Sequence, residues 1–268
     1  MKNRFCIIMM VGMLIAAKAV AQTPITLAKG KQAGVYVAYG NLKATGNYVN
    51  NVSLTSDGKG GWTSGTTLKW KSTDESANFF AYAPYNAAIQ DALGVMVSTQ
   101  LDQTTEEGLV ASDFLWESRG ISPSNEYPKL SLHHQFSRLI VNVAAGSGFT
   151  EDELKQGSLS VRVKNVYVNA RFRLSDGRID VGNTLGTIRA FKEGPLTYSA
   201  IVIPQEQGNS SIAVVWNNTE YPVTLGRNYE RGKQYQLTAT LRKTSGGGIQ
   251  ITIGGWDDTG EDYGGTVE

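Results

Sequence analysis

Two adjacent histidines, His133 and His134, are the chain's only side chains of the type most used for acid–base chemistry near neutral pH. Neighbouring residues in a strand point to opposite faces, so the two imidazoles cannot bind one metal ion together. His134 shares the parity of the apolar residues around it, and this favours a hydrogen-bonded core histidine over a metal ligand or a catalytic base. His133 is expected at a surface or a strand edge.

Other catalytic or cofactor-binding signatures do not occur. The sequence has no G-x-S-x-G, Walker or H-E-x-x-H motif and no G-x-G-x-x-G after a strand. The single cysteine, Cys6, lies in an N-terminal leader-like segment. The carboxylates of Glu106, Glu107 and residues 151–153 fit solvated or capping charges, and the acidic residues 257–262 lack the spacing of a calcium loop. We therefore predict no enzymatic activity, no cofactor and no metal.

The tryptophans offer a second kind of chemistry, stacking on the rings of sugars. On alternating strands, large aromatic side chains are expected mostly in cores. Trp62 follows Gly61 in a glycine-rich turn and is the most exposed candidate, although packing is favoured there too. The five tryptophans are Trp62, Trp70, Trp116, Trp216 and Trp256.

Residues 1–21 have the three parts of a secretory signal peptide: a basic start, an apolar run over 5–17, and a small-x-small site. We predict cleavage between Ala21 and Gln22. The run is too short for a transmembrane helix, and no later stretch is long enough for an integral membrane segment. Cys6 lies at the start of the run, whereas a lipoprotein cysteine follows its end. A buried N-terminal helix is the alternative.

Short apolar-polar alternations separated by Gly, Asn, Asp and Ser predict an all-β fold with little helix. Residues 234–241 alternate cleanly, and Thr150 with Glu153 forms a capping-box pattern that opens a short helix. The near-neutral formal charge of +1 gives no reason to expect a nucleic acid partner.

The turn-forming, proline-containing stretch 120–128 indicates a boundary. It divides the chain into a signal peptide (1–21), an N-terminal β-sandwich (22–127) and a C-terminal β-sandwich (128–268). Both sandwiches have an ordinary domain size.

Three residues are assigned structural roles. His134 precedes a change in apolar parity that predicts a bulge or bend near Ser137 and Arg138. Pro204 ends a β-branched strand, since proline cannot donate to a ladder. Trp256 closes the last strand.

Six segments stand out in order along the chain: NFFAYAPY (78–85), DFLW (113–116), LSLHHQFSRL (130–139), IPQ (203–205), GKQY (232–235) and residues 249–256. This ordered set resembles the fimbrillin family, the subunits of type V pili. The resemblance implies two tandem transthyretin-like (Greek-key) β-sandwich domains and a non-enzymatic structural role in a surface fibre. It also implies other fimbrial subunits as partners, through a strand that one subunit adds to its neighbour.

The resemblance further implies proteolytic release of a first strand. The family's protease cuts after arginine, but no arginine lies between Gln22 and Arg119. Lys29 and Lys31 follow the first predicted strand, residues 25–27, and are the expected cleavage sites for an enzyme that accepts lysine.

The expected location is exported: the cell surface, a fimbrium or the outer membrane, with a periplasmic or secreted protein as the alternative. The expected function is assembly by strand exchange with a contribution to adhesion. A secreted β-sandwich that binds a glycan or host ligand without polymerising is the alternative function.

Overall fold

The computed structural model describes residues 25–124, 128–206 and 209–258, and there the chain is all-β with two short helices. The first half contains β1 (Gln32–Ala38), β2 (Val49–Ser56), β3 (Trp62–Thr63), β4 (Ala77–Ala83), β5 (Val95–Ser98), α1 (Glu106–Ala111), β6 (Leu115–Ile121) and β7 (His133–His134).

The second half contains β8 (Ser137–Ala145), α2 (Glu151–Gln156), β9 (Leu159–Tyr167), β10 (Asn169–Phe172), β11 (Ile179–Val181), β12 (Leu185–Arg189), β13 (Phe191–Lys192), β14 (Thr197–Val202), β15 (Ser211–Trp216), β16 (Thr219–Thr224), β17 (Gln234–Lys243) and β18 (Ile249–Asp258). The predicted all-β fold class is confirmed. The transthyretin-like strand order stays a prediction.

The first sheet has the antiparallel order β3-β2-β1-β4-β6-β7. Its inner face carries the buried aromatics Tyr36, Phe80 and Tyr82. The Tyr82 ring packs directly against Gly34 on β1, where a side chain would clash, because a Cβ there would lie 2.3 Å from a ring carbon. The outer face is aliphatic, with Val35 and other small apolar side chains.

A three-stranded sheet, β11-β10-β5, contributes to the same core as the inner face of the first sheet. It joins the two halves of the sequence, because β5 pairs with β10. The shared core holds Phe114 from the first half together with Phe136, Phe172 and Ile203 from the second.

The second half forms a β-sandwich. A sheet of order β12-β9-β15-β16 faces a sheet of order β13-β14-β8-β17-β18, and the apolar faces of both meet in one buried cluster. In β17 the side chains of Tyr235, Leu237, Ala239 and Leu241 enter this cluster, as the alternation indicates. β17 runs parallel to β8 and antiparallel to β18.

The chain passes between sheets at the change in parity. His134 ends β7 in the first sheet, Phe136 lies in the shared core, and Ser137 begins β8 in the second sandwich. Leu132 and His134 thus contact the first sheet although they follow the predicted boundary. The division at 127/128 stays a prediction.

Both helices are short and capped. Thr150 accepts a hydrogen bond from the Glu153 N–H, and the Glu153 side chain accepts one from the Thr150 N–H, which forms the capping box at α2. No helix in the described ranges is long and apolar enough to span a membrane.

Candidate functional site

The candidate site is a segment at the start of the described chain, residues 25–28, here called the N-terminal segment, together with the groove that it fills on the first sheet. Ile25 and Leu27 are each 4% exposed, whereas Thr26 between them is exposed. This alternation is that of an extended chain with one face buried. The segment therefore inserts two apolar side chains and leaves one polar side chain in solvent.

Three hydrogen bonds hold the backbone of this region. The Ile25 N–H donates to the Leu132 carbonyl at 2.8 Å, next to β7. The Leu27 carbonyl accepts from the Ser56 hydroxyl at 2.7 Å, and the Gly30 N–H donates to the Ser56 carbonyl at 2.9 Å, at the end of β2. The segment is thus tied to two strands that lie apart in the sheet order, and it crosses the outer face between them.

The groove has a shallow floor. Ala33 from β1 and Ala81 and Ala83 from β4 are buried beneath the segment, with Leu115 from β6 beside them. An alanine methyl leaves room for a crossing chain that a larger side chain would fill. Trp62 and Leu130 are half-buried and pack against the same cluster.

A turn follows the segment at once. Gly30 has a φ of +86°, which glycine adopts without steric cost. The Lys31 N–H donates to the Ala28 carbonyl at 3.1 Å. The side chains of Lys29 and Lys31, the predicted cleavage sites, are exposed on this turn. The last buried anchor and the first lysine are separated by a single residue, Ala28.

The loop after β2 brings Trp62 to the groove. The Asp57 carboxylate accepts hydrogen bonds from the N–H groups of Lys59 at 2.6 Å and Gly61 at 2.9 Å. These bonds hold the pKa of Asp57 below its usual value. The tight loop lets Trp62 pair with Ser56, the residue that binds the N-terminal segment.

His134, on β7, pairs with Leu115 beside this groove. It is 2% exposed, and its Nδ1 lies 2.9 Å and 2.8 Å from the two oxygens of Asp113. His133, on the other face of β7, is half-buried. Nearby, the Glu117 carboxylate accepts a hydrogen bond from the Ser131 N–H. Within the described ranges, no group of three or more His, Cys, Asp or Glu residues could hold a metal ion.

The other predicted site residues lie elsewhere. Pro204 follows β14 by two residues, and Gln205 after it pairs with Tyr229. Trp256 lies within β18, so its strand continues past it to Asp258. Ala21 and Gln22, the predicted signal-cleavage pair, are outside the described residues. Among the predicted site residues whose placement is described, Lys29 and Lys31 adjoin the N-terminal segment.

Four tryptophans have described surroundings, and all four are half-buried. The Trp70 indole donates to the Ser124 carbonyl at 3.0 Å, and the Trp116 indole donates to the Leu174 carbonyl at 3.0 Å. Trp216 packs edge-on against Phe149. None of these four tryptophans is fully exposed.

The sequence did not predict the residues of the groove that bind the N-terminal segment. Ser56 and Leu132, which bond the segment, carry no distinctive spacing. A local signal does exist in β4, where Ala81 and Ala83 are small residues at alternate positions on one face. Such a pair indicates that another part of the chain approaches closely.

The fold described above is similar to the folds of known proteins. A family model described as fimbrillin-like matches residues 19–256. No curated protein matches the chain significantly.

Three solved structures show the same fold at low sequence identity. A proposed cell adhesion protein from Bacteroides uniformis is 16% identical, with a TM-score of 0.68 over 89% of this chain and 98% of its own. A proposed cell adhesion protein from Bacteroides ovatus is 18% identical, with a TM-score of 0.64 over the same shares. A fimbrial protein from Bacteroides ovatus is 14% identical, with a TM-score of 0.51 over 85% of this chain and 53% of its own.

Proposed function

The chain belongs to the fimbrillin-like family, and from that premise we propose that it is a non-enzymatic structural subunit of a fimbria or cell surface that assembles by β-strand exchange and contributes to adhesion. Its partners are other fimbrial subunits. Residues 1–21 direct export, and cleavage between Ala21 and Gln22 then removes them.

The observation that supports strand exchange is the way in which the N-terminal segment is held. Ile25 and Leu27 fill an apolar groove, yet the segment is no part of the ladder that joins β1 to β2 and β4. Cleavage at the exposed lysine turn would detach the segment and leave these pairings in place. A groove emptied in this way exposes apolar side chains, and a strand from another subunit can cover them.

The test is limited digestion of the folded protein with a lysine-specific protease. We expect early cleavage after Lys29 or Lys31, a new N-terminus at Gly30 or Gln32, and a shift to oligomers in size-exclusion chromatography and electron microscopy. A K29Q/K31Q double variant is the matched control, because it keeps the other lysines and should stay monomeric. Clipped protein that remains monomeric at high concentration would falsify assembly by strand exchange.

A second measurement addresses processing in the cell. The N-terminal residue of the protein recovered from the cell surface should be Gly30 or Gln32 if the segment is released. Gln22 would mean that the signal peptide alone is removed, and the proposed release would then be wrong.

The alternative, a non-polymerising protein that binds a glycan or another host ligand, has less support. The four tryptophans with described surroundings are half-buried. A glycan array on the unclipped protein compares the two proposals, since reproducible binding by the monomer would favour the alternative.

A further inference from the structure

A cavity lies beside the groove of the N-terminal segment, between the outer face of the first sheet and the loop that joins β3 to β4. Its volume is about 380 Å³, within the range of about 300–1,000 Å³ found for small-molecule sites. Residues 64–76, here called the lid, contain no helix or strand. Loops of this length without secondary structure are usually functional when they are ordered.

The cavity floor is apolar and belongs to the sheet. Val35 and Val37 on β1 are 1% and 4% exposed, and Val49 and Leu54 on β2 lie beside them. Phe79 on β4 completes the floor. A side chain or a ligand above these residues would be removed from water on its lower face.

Three hydrogen bonds hold consecutive residues of the lid. The Tyr48 hydroxyl donates to the Lys69 carbonyl at 2.9 Å, and the Lys71 N–H donates to the Tyr39 hydroxyl at 2.8 Å. Between them, the Trp70 indole donates to the Ser124 carbonyl at 3.0 Å. These bonds fix the lid at its middle while a volume remains beneath it.

Aromatic rings form the walls. Tyr39 and Tyr48 pack edge-on with centroids 5.2 Å apart, and Trp70 packs edge-on against Phe79 at 5.7 Å. Tyr48 is 45% exposed and stands at the opening. The walls thus give a ligand apolar contact on its sides as well as on its floor.

One charged side chain of the lining indicates which group the ligand carries. Lys69 is the single charged side chain among the described residues that line the cavity, and it is exposed. The Lys69 ammonium attracts an oxygen anion, and no carboxylate of the described lining competes for it.

We propose that this cavity binds a small anionic amphiphile: an acyl or aryl tail lies between the first sheet and the lid, and a carboxylate head contacts Lys69. The site is separate from strand exchange, because the lid and its floor are in place while the N-terminal segment is bound.

The test uses decanoate below its micelle concentration, with decanol as the uncharged analogue, titrated into the full chain by calorimetry. We expect one site for decanoate, quenching or a shift of tryptophan fluorescence, and weaker binding of decanol. Lys69→Glu should weaken decanoate about tenfold and leave decanol unchanged, since it reverses one charge at the head. Lys192→Glu, at an exposed lysine on β13, is the control and should change neither.

A second variant tests the tail. Val37→Phe places extra volume in the cavity, and it should abolish binding of both ligands while circular dichroism shows a folded protein. If Val37→Phe does not fold, the Lys69→Glu comparison still decides the proposal. Absence of decanoate binding, or binding that is the same in wild type and Lys69→Glu, would overturn it.

Discussion

Replacing Leu27 by alanine should loosen the N-terminal segment without unfolding the rest of the protein. Leu27 is 4% exposed and packs on Ala33, Ala81 and Ala83, so the change leaves a cavity above a floor that cannot rise to fill it. Substitutions of this kind cost about 2–5 kcal/mol. The anchor lies two residues before Lys29, which couples its loss directly to protease access.

The magnitude follows from the few contacts that hold the segment. Full burial of each of two aliphatic side chains contributes about 1.5–3 kcal/mol, and each hydrogen bond contributes about 0.5–1.5 kcal/mol. Ordering each residue of the segment opposes them by about 1–2 kcal/mol. The segment is therefore held by a small net free energy. A loss of about 2 kcal/mol should raise its open population roughly 30-fold.

The assay is the initial rate of cleavage after Lys29 and Lys31 at low concentrations of a lysine-specific protease. Under these conditions the rate follows the population of the open form. Thr26→Ala is the matched control, because Thr26 lies in the same segment but is exposed. Its rate should stay within about twofold of wild type, since exposed substitutions change stability by about 0.5 kcal/mol or less.

Two results would refute the reasoning. Equal rates for Leu27→Ala and Thr26→Ala would mean that the buried side chain does not hold the segment. Equal acceleration at Lys29 and at internal lysines such as Lys164 would mean that the whole chain opens, and the segment would then be no separable unit.

Two further predictions concern the cores. Gly34→Ala should destabilise the protein by about 1–3 kcal/mol in chemical denaturation, since its Cβ would lie 2.3 Å from the Tyr82 ring, whereas Gly65→Ala, with no atom within 4 Å, should be near neutral. Burial raises the pKa of Tyr198 and Tyr229 to about 12 from an ordinary 10.0, so the folded state holds these protons more tightly. The stability that these two groups contribute is complete below pH 10 and is lost as the pH rises through about 12. Ultraviolet titration of tyrosinate, compared with unfolding over the same pH range, measures this loss.

Local patterns predict the elements well where one physical rule dominates. The alternation in β17 places Leu237 and Leu241 in the core, and the Thr150 capping box begins α2, because each depends on residues close in sequence. The all-β class follows from many such short patterns. Leu27 follows the same rule, since Ile25 and Leu27 alternate with exposed Thr26 and so lie on one buried face of an extended chain.

Long-range pairing is less accessible from sequence. The pairing of β5 with β10 joins residues far apart in the chain, and no local pattern specifies it. The parity change after His134 is visible in the sequence, but a bulge within one strand and a passage between two sheets produce the same pattern. Only the positions of Leu132 and Leu139 in different clusters separate the two explanations.

The covering of the first sheet explains why a segment can leave it. In the β-sandwich of the second half, two sheets meet across one cluster, so each strand is held by ladder hydrogen bonds as well as by packing. On the outer face of the first sheet, the N-terminal segment and Leu130 cover the aliphatic side chains from irregular chain, and Trp62 of the two-residue strand β3 packs beside them. Such pieces carry few backbone bonds, and each can open while the ladder of β1, β2 and β4 persists. Exchange of a covering segment is therefore expected on this face, and the paired strands beneath it are expected to stay in place.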